Sequence, residues 1–155
     1  GGFVFTDRDE TRPFKNRTQI RGTEIRPSKK INRYFQLSKN MAFNSPYGKL
    51  RHGAVLVKGG SIINASFNKD NFNSFGSRFR NHHCGHATHH AELGCVLGLP
   101  RSVTAGSALF VCRINRQGDF RFSKPCSMCH GVLKHVGVKK VYYTTNEGTI
   151  RMYKL

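Results

Sequence analysis

Two short motifs hold the side chains best suited to chemistry: His90-Ala91-Glu92 and Pro125-Cys126-Ser127-Met128-Cys129. One imidazole and two thiolates make three soft or borderline ligands for zinc. They leave a fourth position open for water, the make-up of a catalytic rather than a closed structural site. Glu92 lies two residues past His90 and need not bind the metal. It can instead accept a proton from the activated water and pass it to a leaving group. A closed zinc site that recruits a fourth protein ligand, such as Cys84, is the structural alternative. Cys126-x-x-Cys129 alone would also serve redox chemistry.

Positioning these residues requires rigid elements, and each motif stands at the start of a predicted helix. His89 to Leu97 has helical character and Pro100 stops it. Ser127 to His135 reads as a second helix. The positive end of a helix favours thiolates, so ligands on first turns have a physical logic. Upstream, Ser28 can cap a helix from Ile31 through Phe43, with Ile31, Tyr34, Phe35, Leu37 and Met41 as its apolar stripe. Ala54–Val57 and Ser61–Phe67, separated by Lys58-Gly59-Gly60, predict a β-hairpin. A loop follows from Asn68 to Asn81. Ala108–Cys112 predicts a buried strand and Lys139–Thr144 another. Asn146-Glu147-Gly148 then turns the chain into a last strand ending at Lys154, which should pair antiparallel. The order α-β-β-α-β-α-β-β is that of a layered α/β domain.

With both motifs in place, the chain from about residue 31 to 155 resembles the zinc-dependent cytidine deaminase superfamily, whose signature is His-x-Glu followed by Pro-Cys-x-x-Cys. The separation of 36 positions from His90 to Cys126 suits one strand plus loops. The resemblance implies a three-layer α/β/α domain with a mixed, mostly five-stranded sheet. It implies His90, Cys126 and Cys129 as ligands of Zn2+ and Glu92 as proton shuttle. Asn68, after the second strand of the hairpin, matches an asparagine that contacts the substrate sugar or base. The backbone at Ala91 would hold the pyrimidine carbonyl, and Lys124 and Pro125 would border the departing amino group. The implied reaction is hydrolytic deamination of cytosine in a nucleoside or nucleotide, with release of ammonia. Ser123-Lys124 departs from the residue pair usual before Pro-Cys, and Lys124 would suit a substrate phosphate. A fold of this family that has lost activity is the opposing case, against which Glu92 is retained.

Composition bounds the remaining choices. At 37% hydrophobic residues the chain can bury a core. Its net charge is +18, and residues from Ile31 onward keep +14 of it, from eighteen basic and four acidic side chains. So basic a domain expects an anionic neighbour: a nucleotide, a nucleic acid or an acidic surface. Phe72, Phe75, Arg78 and Phe79 interleave charge and aromatic rings in a way that suits a polynucleotide groove. The antiparallel chain end instead resembles the free-cytidine branch of the family, because polynucleotide-acting relatives usually insert a helix there and run the last strand parallel. A nucleic-acid base deaminase is therefore the alternative enzyme. A basic structural component of a nucleoprotein assembly is the alternative outside enzymology.

Residues 1–29 read as a basic, extended N-terminal tail, and 30–155 as the catalytic domain. No apolar run is long enough for a membrane span or a secretory signal, so an intracellular protein with no membrane partner is expected. Five cysteines without a secretory signal point to a reducing compartment, with Cys95 and Cys112 as packing residues. The histidines of 82–89 form either a solvated loop or a second metal site. The resemblance leaves homo-oligomers open, because relatives often complete one another's pockets.

Overall fold

The computed structural model describes residues 22–72 and 88–155. Cys84, the histidines of 82–87, Phe75, Arg78, Phe79 and the side chain of Phe72 lie outside the described part, as do residues 1–21. The described chain forms a three-layer α/β/α domain around one mixed sheet. Its elements are β1 (Thr23–Ile25), α1 (Lys29–Ala42), β2 (Arg51–Lys58), β3 (Ser61–Phe67), β4 (Lys69–Phe72), β5 (Thr88–His89), α2 (Ala91–Val96), α3 (Arg101–Thr104), β6 (Ala108–Ile114), β7 (Phe120–Arg121), α4 (Ser127–His135), β8 (Lys140–Thr144) and β9 (Ile150–Lys154).

Strands run in the order β1-β9-β8-β6-β2-β3, with β7 paired to β6. Among the described strands only β6 and β8 are parallel, joined by the crossover through α4. The last strand returns antiparallel on β8, with Val141 opposite Tyr153, as the short turn predicts. The five longer strands are those the sequence marks, and two short ones raise the sheet to seven. Thr23–Ile25, grouped by sequence with the tail, line the outer edge of β9 as β1. Arg151 fixes this edge by donating to the Gly22 carbonyl from Nε at 2.9 Å. Strands of three and two residues are too short to carry a period, which is why neither shows in the sequence. β4, which falls within the expected 68–81 loop, pairs with β5 as a separate ribbon. Lys69 stands opposite His89 there, at the entrance to α2.

Alternation along the strands divides the core in two. Ala54 and Leu56 of β2, with Leu109 and Val111 of β6, pack toward α2 and α4. Their neighbours Val55, Val57, Phe110, Cys112 and Ile114 pack toward α1. Cys95 and Cys112 are fully buried, as the apolar context predicts. Among the described residues, no helix is long and apolar enough to cross a membrane.

The Ser28 hydroxyl accepts from the Ile31 N–H at 3.2 Å and starts α1, as expected. The buried face of α1 differs in detail: Tyr34, Phe35, Ser38 and Ala42 lie against the sheet. Small residues take the centre because helix and strand backbones nearly touch there. A Cβ on Gly53 of β2 would lie 1.8 Å from the Ser38 carbonyl oxygen, so only glycine fits. At the hairpin, Gly59 and Gly60 both have positive φ (59° and 80°), the backbone a two-residue turn requires.

Candidate active site

His90 and Cys126 occupy equivalent places: each is the extended N-cap residue of a helix, and neither side chain caps it. Cys129 follows one turn into α4. The two helices pack on the same face of the sheet, so the three ligand atoms converge to within 4.8 Å of one another. His90 Nδ1 lies 3.2 Å from Cys129 Sγ. Ligands of a tetrahedral zinc ion, at about 2.0–2.3 Å from the metal, are separated by roughly 3.5 Å. Donor set and spacing both fit zinc.

The loop carrying Cys126 is held from several sides. The Ser123 hydroxyl donates to the Val111 carbonyl at 3.0 Å and receives the Thr144 N–H at 2.8 Å. Phe122 N–H donates to Asn146 Oδ1, and the Phe122 carbonyl accepts from Arg113 Nε. These bonds tie the cysteine loop to β6, β8 and the final turn. Ser123 thus has a structural use in anchoring that loop.

His90, Cys126 and Glu92 share the wall of a cavity of about 520 Å³ with Tyr47, Leu50, His52, Asn68, Lys69, Ala91 and Lys124. Its volume is that of a small-molecule site. A larger cavity of about 670 Å³, between β1, α1 and the turn before β9, holds none of the motif residues. Glu92 is buried at the second position of α2. Burial raises its pKa, with the charge of His52 opposing, so its carboxyl keeps a proton into a higher pH range than an exposed glutamate. A proton carrier benefits from that shift.

The sequence-marked residues converge unevenly. Ala91 and Lys124 line the cavity; Pro125, between two lining residues, is buried and does not line it. Asn68 lines the cavity while its amide also stitches the wall. Its Oδ1 accepts from the His52 N–H at 2.9 Å, and its Nδ2 donates to the Leu50 carbonyl at 2.9 Å. One Nδ2 hydrogen remains beyond these two bonds.

His52, Tyr47, Leu50 and Lys69 were not marked by sequence. His52 had a legible signal: it stands two residues before Ala54 and so faces the same side of β2 as Ala54 and Leu56. Its Nδ1 lies 3.0 Å from the Leu50 carbonyl, which can only accept, so Nδ1 carries the proton. Burial lowers the pKa of His52, with Glu92 the main opposing influence. The other three come from the 47–50 turn and the β4 ribbon, whose course the sequence did not reveal.

Comparison with known proteins agrees with this geometry. Residues 28–145 match the family described as the cytidine and deoxycytidylate deaminase zinc-binding region. Among solved structures, the chain is similar to apo dCMP deaminase from the cyanophage S-TIM5. Identity is 24% and the TM-score 0.52, over 79% of this chain and 86% of that one. The same phage enzyme in complex with dCMP and dUMP aligns at 23% identity and TM-score 0.45, over 75% and 78% of the two chains. Acinetobacter baumannii RibD aligns at 17% and 0.49, over 76% of this chain and 28% of that one. A comparison with curated protein sequences gave no match.

Proposed function

Because the chain belongs to the cytidine and deoxycytidylate deaminase zinc-binding family, we propose that it hydrolyses the 4-amino group of cytosine in a nucleotide, CMP or dCMP, and releases ammonia. The observation that carries this is the convergence of His90, Cys126 and Cys129 on the wall of a cavity that also holds a buried Glu92.

His90 Nδ1 and the sulfurs of Cys126 and Cys129 would hold the zinc, which when bound supplies Lewis-acid activation of water. Glu92 takes a proton from the water that attacks C4 and delivers it to the ring N3. It then carries the second proton to the 4-amino nitrogen, which leaves as ammonia while the carbonyl of uracil forms. Raised by burial, the Glu92 carboxylate is a stronger base toward the attacking water than an exposed one, and once protonated it holds the proton to a higher pH for delivery. The backbone N–H of Ala91, in the first turn of α2, holds the ring carbonyl at C2. Asn68 gives its remaining Nδ2 hydrogen to the sugar while keeping the 50–52 segment in place.

Preference for a nucleotide over a nucleoside rests on Lys69 and Lys124, two cationic side chains on the cavity wall. Either can meet a phosphate as a point charge. The test is ammonia release from cytidine, CMP, dCMP, single-stranded DNA and RNA. Turnover of CMP or dCMP well above cytidine is expected. Turnover confined to polynucleotide would replace the monomer reading with the editing one. Tight, salt-steep nucleic-acid binding with no ammonia from any substrate would make the chain a nucleoprotein component.

A further inference from the structure

Tyr153, on β9, does not face the cavity, yet its surroundings connect it to the proposed metal centre. Its side chain is buried. Its ring stacks on His130 at 5.9 Å, meets Tyr143 at 6.1 Å and lies 5.7 Å from Lys124 Nζ. Lys124 and His130 bracket Cys126 and Cys129 in sequence, so the ring sits beneath the segment that carries both sulfurs. Among the described residues, the Tyr153 hydroxyl has no hydrogen-bond partner. A phenol buried in that way is costly where phenylalanine would pack as well. Tyr153 shares one buried cluster with Cys129, and Cys126 packs against that cluster. Both cysteines are proposed metal ligands, and a metal-bound cysteine is a thiolate that accepts hydrogen bonds.

We propose that Tyr153 is a positioning residue of the metal centre, its hydroxyl donating to the Cys126–Cys129 thiolate pair through one water. This rests on the zinc-site reading above and extends it beyond the ligands. A neutral phenol has one O–H to donate. Such an outer partner lowers the charge on sulfur, orients the ligand and strengthens metal binding. Glu92 is the competing acceptor, but ring contacts with Lys124 and His130 put Tyr153 on the α4 side, with the sulfurs.

The experiment is a chelator competition for zinc on the full chain, wild type against Tyr153→Phe, with thermal unfolding of zinc-free and zinc-loaded samples. Phenylalanine keeps the ring packing, so the variant retains the fold. Zinc affinity is expected to fall about tenfold or more. The zinc-free variant should unfold at the wild-type temperature or above, and the zinc-loaded variant below it. With Co(II) in place of zinc, the sulfur-to-metal charge-transfer band should move to lower energy. Tyr143→Phe, which removes a neighbouring hydroxyl, should leave affinity and band unchanged. Equal zinc affinity with an unmoved cobalt band overturns the proposal and leaves the zinc site standing. Unchanged affinity with an altered pH profile of turnover overturns it in favour of Glu92 as acceptor. A wild-type chain that binds no zinc overturns the deaminase reading itself.

Discussion

Successive residues of β2 and β6 point to opposite sides of one sheet, and the two sides are built differently. Toward α1, Phe110 sits against Tyr34 at 4.8 Å, against Phe35 at 5.7 Å and flat on Tyr142 at 4.5 Å. Such aromatic pairs each add about 0.5–1.5 kcal/mol beyond the area they bury. Toward α2 and α4, the same strands support Glu92, Cys129 and Tyr153, buried groups with polar atoms. Cysteine shows the contrast within one residue type. Cys112, on the α1 side, has its thiol pushed up to about 11 by burial, and it packs. Cys126 and Cys129, at a helix start with an imidazole 3.2 Å from one sulfur, are placed to bind metal. One side of the sheet supplies stability, and the other spends some of it on buried polar groups.

That contrast is broken most severely at the sulfurs. Cys126→Ser or Cys129→Ser should leave the chain without zinc and reduce ammonia release to background, measured by metal analysis beside turnover. Glu92→Gln should keep zinc and fold but lower turnover about 10²–10⁴-fold. Retained turnover would move the proton transfer to another group. Phe110→Ala tests the α1 side. It should cost about 3–5 kcal/mol in urea unfolding, while zinc stoichiometry in the folded protein stays at the wild-type value. Loss of zinc from that variant would show that the two sides are not separable.

Smaller effects sharpen the picture. Asn68→Ala removes a hydrogen-bonding clip worth about 1 kcal/mol per bond, so kcat/KM should fall by roughly tenfold or more with zinc still bound. The pH dependence of the zinc-free protein contains a contribution from Glu92, which comparison with Glu92→Gln isolates. Its folded pKa lies above the ordinary value of 4.5, so the folded state binds the proton more tightly than the unfolded chain. The resulting stability is complete below about pH 4.5 and is lost as pH rises toward the raised folded value. Glu92→Gln should flatten that slope in urea midpoints taken across the range.

Much of the motif side was legible before any coordinates, because its signal is chemical and local. His90, Glu92, Cys126 and Cys129 each sit at the start of an element whose apolar period and stop residues are plain. The α4 span, Ser127–His135, coincides with the predicted helix. Less legible were features set by contact between distant segments. Ser38 and Ala42 lie at the centre of the α1 contact because Gly53 admits them, whereas periodicity alone favoured Leu37 and Met41. Lys69 reaches the cavity through a two-strand ribbon whose polar residues give no alternation. Asn68 was expected to meet substrate; that its amide also fixes the 50–52 backbone depends on where a turn 18 residues upstream comes to rest. Edge strands β1 and β7 are too short for any pattern.

Ammonia release from dCMP by zinc-loaded wild-type chain, run beside zinc-loaded Glu92→Gln, tests the central claim most directly. Release by the wild type, and at least a hundredfold less from the variant at equal zinc content, is the predicted result. No release from dCMP or CMP by the wild type, or equal release from both proteins, would contradict it.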